Sequence, residues 1–138
     1  MSNLETINES LELAAEHIDD LVPLVYERFF ARRPETERLF KSDPLLRGRM
    51  LNETLTLILE SAQGTGYVDG IIEREVVDHR AYGVTVSMYE SYFESVIDVL
   101  KSALNEAWTP AHEKAWRDQF ERLMKVVDRH ATESHMER

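Results

Sequence analysis

The spacing of apolar residues is the feature that most limits what this chain can fold into. Apolar side chains recur every three or four residues, as in Ile7, Leu11, Ala14 and Ile18, and no stretch keeps the two-residue alternation of a strand. Only five glycines and four prolines occur, so few positions can break a helix. The sequence therefore predicts an all-α fold of helices joined by short turns.

Helix-breaking and capping residues mark where the later helices begin and end. Pro34 ends the second helix, because the residue before a proline disfavours helical torsions. Asp43 with Pro44 predicts the N-cap and first turn of the third helix. Beyond the first helix, helices are expected over about residues 20–33, 43–63, 69–82, 85–104 and 109–129.

Length and composition narrow the class of protein. At 138 residues the chain fits a single domain over residues 1–138 that is long enough to enclose a cofactor, with a polar tail over 130–138 expected to fray. Because cysteine is absent, any metal must be held by histidine or carboxylate. The net charge of −10 disfavours binding to nucleic acid. No apolar run could cross a membrane, and the first residues lack a secretory pattern, so a cytoplasmic location without membrane binding is expected.

One histidine lies on an apolar helix face. His79 shares its face with Ile72 and Val76. An imidazole in this position is either a core side chain with satisfied hydrogen bonds or a ligand to a metal ion. The sequence alone leaves both interpretations open.

The third helix also has a mixed face. Its predicted inward stripe consists of Arg47, Leu51, Leu55, Ile58 and Ala62. Burying the guanidinium of Arg47 is costly unless it reaches an anion or extends to solvent.

Two stretches carry a resemblance to a known family. The residues from Val25 to Phe40 and those from Asp78 to Val84 resemble the corresponding segments of bacterial haemoglobins and of the globin domain of flavohaemoglobins. The resemblance extends over about residues 4–128 and continues through Trp108, Thr109 and Pro110. It implies a globin fold, a three-over-three helical sandwich around a pocket for haem b (iron protoporphyrin IX).

The family pattern implies specific roles around the haem. It places Tyr26 over the haem, Phe40 against the haem face, and His79 as the proximal iron ligand whose free ring N–H donates to a helix carbonyl. Counting back 32 residues from His79 gives Arg47 as the distal residue, whereas a shift of one position gives Leu46. Tyr26 and Arg47 are the groups expected to face a bound gas. The full expected pocket is Tyr26, Phe30, Phe40, Arg47, Met50, Leu51, Leu55, His79, Tyr82, Val84, Tyr89 and Phe93.

Several of these assignments keep an alternative. Tyr26 is either a donor to a bound gas or a core side chain tied to a backbone carbonyl. Arg47 reaches a gas, a haem propionate or water. The sequence also departs from the family: Phe120 stands where many members have tyrosine, and the late glutamate near the proximal histidine is not found.

Three functions follow from the resemblance. The first is a haem protein that binds O2, NO or CO for storage, oxygen transport or scavenging. The second is a nitric oxide dioxygenase with a separate reductase, because 138 residues leave no room for the flavin domain of flavohaemoglobins. The third is a gas sensor or a helical bundle without haem. The sequence does not indicate an oligomeric state.

Overall fold

The computed structural model describes residues 2–138 and contains helices and turns only over that range. This confirms the predicted all-α class and is consistent with a globin fold. Two short 3₁₀ helices, Pro34–Phe40 and Asn105–Ala107, connect longer elements. The α-helices are α1 (Asn3–His17), α2 (Leu21–Arg32), α3 (Leu46–Gln63), α4 (Tyr67–Ala81), α5 (Val86–Leu104) and α6 (Pro110–Glu133).

Short polar side chains fix several helix starts. The Asp20 carboxylate accepts the amide of Val22 at 3.0 Å and begins α2. Thr109 accepts the amide of His112 at 3.2 Å, and the imidazole of His112 accepts the amide of Thr109 at 3.0 Å, which closes a capping box at the start of α6. Pro34 follows α2 directly, as the sequence predicts.

The third helix begins slightly later than its turn signal suggests. The Asp43 carboxylate accepts the amide of Leu45 at 2.9 Å, and the Asp43 carbonyl accepts the amide of Leu46 at 3.2 Å. These two bonds form a turn, and α3 starts only at Leu46. Gly64 ends α3 in the left-handed conformation with φ 80°, which glycine adopts without a steric penalty.

A large part of the core forms where α5 and α6 pack on α1. Leu100 on α5 and Trp116 on α6 are almost completely buried. The Trp116 indole donates to the hydroxyl of Ser10 on α1 at 2.8 Å, so its polar atom is satisfied inside the core. Farther along, α4 contacts α3 and α6, and α2 contacts α3 and α5. This packing leaves a space bordered by α3, α4 and α5.

The structure places the C-terminal residues against the rest of the molecule, whereas residues 130–138 are expected from the sequence to fray. α6 continues to Glu133, and Met136 is buried against the rest of the molecule. The amides of Val86 and Ser87, at the start of α5, donate to the carbonyls of Glu137 and Arg138 at 2.9 Å each. The segment is mostly polar, so its sequence did not indicate that Met136 is buried or that its backbone carbonyls accept hydrogen bonds from α5.

Within residues 2–138, none of the helices combines the length and apolar character that a membrane crossing requires.

Candidate functional site

A cavity of about 430 Å³ opens between α3, α4 and α5. Its size lies in the range of pockets that hold cofactors and small molecules. Most lining side chains are apolar, and a minority of polar groups is placed at particular positions. Seven of the predicted pocket residues line it: Phe40, Met50, His79, Tyr82, Val84, Tyr89 and Phe93.

His79 lies on the cavity wall with one ring nitrogen fixed. Its Nδ1 is 2.6 Å from the backbone carbonyl oxygen of Glu75, one helical turn earlier on α4. A carbonyl can only accept, so Nδ1 carries the proton and Nε2 of the neutral ring carries the lone pair. Among the described residues Nε2 has no hydrogen-bond partner, and the side chain is 18% exposed. The imidazole therefore lies on the cavity wall with Nδ1 bonded and Nε2 unpaired within residues 2–138.

Glu75 and Tyr89 surround this imidazole, and the role of Glu75 was not predicted. The Glu75 carboxylate lies 3.4 Å from His79 Nδ1, in addition to the carbonyl contact. The Tyr89 ring packs edge-on to the imidazole at 5.7 Å, and its hydroxyl donates to the same carbonyl at 3.5 Å. The four-residue spacing from Glu75 to His79 is the sequence signal that could have identified this pair.

Burial affects both neighbours of His79. It raises the pKa of the Glu75 carboxyl; His79 opposes this increase, while the charges of Glu53 and Asp78 add to it. Burial also raises the pKa of the Tyr89 hydroxyl well above its ordinary value. Tyr89 is therefore a neutral group beside the imidazole at any ordinary pH.

The face of α3 that meets the cavity differs from the predicted stripe. Leu46, Met50, Thr54 and Leu57 line the cavity, with Glu53 beside them. Leu46, the alternative left open for the predicted distal position, lines the cavity, whereas Arg47 does not. The side of α3 with Leu51 and Ile58 packs on other helices, and Leu55 does not line the cavity either.

Arg47 lies over aromatic rings instead. Its guanidinium carbon is 5.0 Å from the centre of the Phe30 ring and 5.9 Å from that of Tyr26. Cation–π contacts of this kind stabilise an arginine without an anion. Neither Arg47 nor Phe30 lines the cavity.

Tyr26 lies behind the cavity wall. It is 1% exposed, its ring packs on Phe40 at 4.9 Å, and it does not line the cavity. Its hydroxyl donates to the backbone carbonyl of Arg47 at 3.0 Å and lies 2.9 Å from the hydroxyl of Tyr92. This geometry matches the second interpretation of Tyr26, a core side chain whose hydroxyl donates to a backbone carbonyl.

Tyr92 is a cavity residue that the sequence analysis missed. It lies on α5, one turn after Tyr89, and lines the cavity beside Phe93. Burial raises its pKa to about 12, and the hydrogen bond to Tyr26 opposes that increase. In the sequence, Tyr92 stands between Tyr89 and Phe93 on what reads as an apolar helix face. No neighbouring residue indicates that its hydroxyl lines a cavity.

Charged groups lie among the lining residues of the cavity. Glu53 on α3 is close enough to Glu75 on α4 to disfavour ionisation of the Glu75 carboxyl. Arg49 also lines the cavity and forms an exposed ion pair with Asp43. Negative charge thus borders the cavity on α3 and α4, and Arg49 is a guanidinium positioned to meet an anionic group.

A second cluster of possible metal ligands lies away from this cavity. Asp69, Glu73 and His130 each offer one atom, and these atoms lie within 4.8 Å of one another. Arg129 forms an ion pair with Asp69, and His130 Nε2 lies 3.3 Å from the same carboxylate. Cationic and imidazole groups of the chain itself therefore already contact the Asp69 carboxylate.

Comparison with known proteins supports a distant relationship. No family model matches the chain. A protein named flavohemoprotein from Halalkalibacterium halodurans is 21% identical over 125 residues, which cover 88% of this chain. The match spans only 30% of that protein's length. Together with the all-helical fold, it supports a globin-like relationship for this chain.

Proposed function

We propose that this protein binds haem in the cavity between α3, α4 and α5 and uses it to bind O2, NO or CO. The observation that carries the proposal is His79, whose Nδ1 is held by the Glu75 carbonyl while Nε2 remains free on an apolar cavity wall. A metal-ligating histidine commonly donates its other ring N–H in this way.

The residues present fit a haem on three counts. The cavity of about 430 Å³ is mainly apolar, as a porphyrin requires. The Nε2 of His79, unpaired within the described part of the chain, is a nitrogen ligand suited to ferrous iron. Phe40 and Phe93 would contact the ring faces, and Arg49 would pair with a propionate carboxylate.

The chain itself orients, shields and tunes the site. Haem, when bound, supplies an iron that can take a diatomic gas as a further ligand. Leu46 and Met50 on α3 line the cavity and would exclude water from the space beside a bound gas. On α4, the Glu75 carbonyl fixes the rotation of the His79 ring, and its carboxylate makes the imidazole a stronger donor.

Reconstitution with haem tests this proposal. Wild-type protein should give a Soret band, with visible bands that shift when carbon monoxide is added to the reduced form. His79→Ala should lose most of the haem, because the axial bond is removed. His17→Ala is the matched control, since His17 is exposed at the end of α1. Wild-type protein that stays colourless, or His79→Ala with an unchanged spectrum, would contradict the proposal.

A second candidate is nitric oxide dioxygenase activity. The match to a protein named flavohemoprotein favours it, since that name joins a flavin to a haem protein. In this case a separate reductase would return electrons to the haem. The test is consumption of nitric oxide over many cycles in the presence of a reductase and oxygen. A single stoichiometric burst would leave gas binding as the function.

A further inference from the structure

We propose that the Tyr92 hydroxyl, held by Tyr26 at the wall of the cavity, is the hydrogen-bond donor to a diatomic ligand, and that Tyr26 is a positioning residue behind it. The juxtaposition of these hydroxyls at 2.9 Å carries the inference. It rests on the proposed function and names the residue that would determine how long this site retains each gas.

Tyr92 and Tyr89, both on α5, contact different neighbours around the cavity. Tyr89, three residues earlier, contacts the His79 ring and the Glu75 carbonyl of α4. The Tyr92 hydroxyl instead meets Tyr26 on α2, whose own hydroxyl reaches the carbonyl of Arg47 on α3. One helix thus contributes two tyrosines to the cavity, one in contact with His79 and the other in contact with Tyr26.

Counting protons assigns the donor. The Arg47 carbonyl can only accept, so the single hydroxyl proton of Tyr26 goes to it. The hydrogen bond between the tyrosines must then use the proton of Tyr92, with the Tyr26 oxygen as acceptor. To donate to a ligand, Tyr26 would have to give up its bond to a buried backbone carbonyl. Tyr92 would have to give up only its bond to the neutral hydroxyl of Tyr26.

The other buried hydroxyls of the cavity have committed protons. Thr54 donates to the Met50 carbonyl at 2.9 Å, and Thr36 donates to the Arg33 carbonyl at 2.7 Å. Among the buried lining hydroxyls of residues 2–138, only that of Tyr92 directs its proton to another side chain. A ligand that carries negative charge offers Tyr92 a stronger acceptor than the neutral Tyr26 oxygen does.

The structure also explains why Tyr92 remains a donor. Burial keeps its pKa near 12, so the hydroxyl is protonated throughout the neutral range. Packing of the Tyr26 ring on Phe40 and on Tyr92, at 4.9 and 5.7 Å, fixes the two aromatic side chains relative to each other. Removal of the Tyr26 hydroxyl would therefore release Tyr92 without deleting the donor.

The test compares Tyr92→Phe, Tyr26→Phe and the double variant after reconstitution with haem. Tyr92→Phe should speed oxygen dissociation about ten- to hundred-fold. It should also raise the stretching frequency of carbon monoxide bound in the cavity, because a nearby donor has been lost. Tyr26→Phe should change both quantities much less, and the double variant should match Tyr92→Phe. Tyr67→Phe, whose side chain is 73% exposed, is the control for loss of a tyrosine hydroxyl.

The outcomes separate this inference from the proposed function. If the wild type shows no haem spectrum, the function itself fails. If haem binds normally but Tyr92→Phe leaves the dissociation rate and the stretching frequency unchanged, or Tyr26→Phe has the larger effect on both, the assignment of Tyr92 is wrong. Thermal unfolding of the haem-free variants supplies an independent readout: the effects of the two substitutions should be non-additive, and strict additivity would contradict the hydroxyl pair.

Discussion

Glu75 acts on His79 through two groups at once, its backbone carbonyl and its carboxylate. Glu75→Gln keeps the carbonyl and the side-chain volume but removes the negative charge beside Nδ1. We expect haem affinity to fall about tenfold, at the lower end of what outer-shell partners contribute to metal sites. Transfer of haem to an excess of acceptor protein measures the change.

The control for this variant is Glu73→Gln on the same helix, since Glu73 is exposed and absent from the cavity lining. Equal haem loss from both variants would mean that general charge on α4, rather than the contact with His79, sets the affinity.

Tyr92 also gives the folded protein a sensitivity to alkaline pH. Its pKa is about 12 in the folded state, above the value of about 10 for an ordinary tyrosine. The folded state then holds the proton more tightly than the unfolded state. The resulting stability is complete below about pH 10 and is lost as the pH rises towards 12.

Urea unfolding at a series of alkaline pH values tests this sign. Wild-type protein should lose stability between about pH 10 and 12, and Tyr92→Phe should lose less over the same interval. Tyr67→Phe should retain the wild-type slope because Tyr67 is exposed. A steeper loss in Tyr92→Phe would contradict the prediction.

At the scale of the element, the sequence predicted helices better than it predicted their faces. The ends at Pro34 and Gly64 depend on local torsions, and the structure has both. The cavity-facing side of α3 depends on which neighbours it meets. Leu51 is more deeply buried than Leu46, yet Leu51 packs on helices and Leu46 borders the cavity. Apolar periodicity identifies the most buried side and does not distinguish a packed helix from an open pocket.

The same limit applies to side-chain direction within the site. His79 and Phe93 could be selected because a resemblance attached them to a pocket, and both line the cavity. Tyr26 matched the same pattern, but its hydroxyl is taken by the carbonyl of Arg47. The packing of α2 on α3 determines which backbone carbonyl the Tyr26 hydroxyl can reach. The two residues of this bond are 21 positions apart in the sequence, so local patterns do not predict it.

Because Leu46 lines the cavity and Arg47 does not, substitutions at these two positions of α3 should have different effects. Leu46→Ala should enlarge the cavity and speed association of carbon monoxide in the haem-bound protein. Arg47→Ala should leave that rate near the wild-type value and lower the free energy of unfolding by about 1 kcal/mol, the usual size of a cation–π contact. Flash photolysis and urea unfolding measure the two effects. The reverse pattern would support Arg47 as the distal residue.

At the scale of the whole molecule, the C-terminal segment packs against the rest of the fold and bonds to the start of α5. Met136 is buried, and the carbonyls of Glu137 and Arg138 accept the first amides of that helix. Met136→Ala should lower the free energy of unfolding by about 2 kcal/mol, since truncating a buried methionine leaves a void. Glu137→Ala is the control, because only its backbone takes part. Equal stability of the two variants would show that the segment adds nothing.

The attachment of the last residues to Val86 and Ser87 has a consequence for measurement. Val84 and Met88, on either side of that attachment, border the cavity. A molecule bound in the cavity would therefore contact residues on both sides of the bonds to Glu137 and Arg138. Amide hydrogen exchange at positions 86 and 87 should slow when added haem binds in the cavity. These two amides would report occupancy from outside the site.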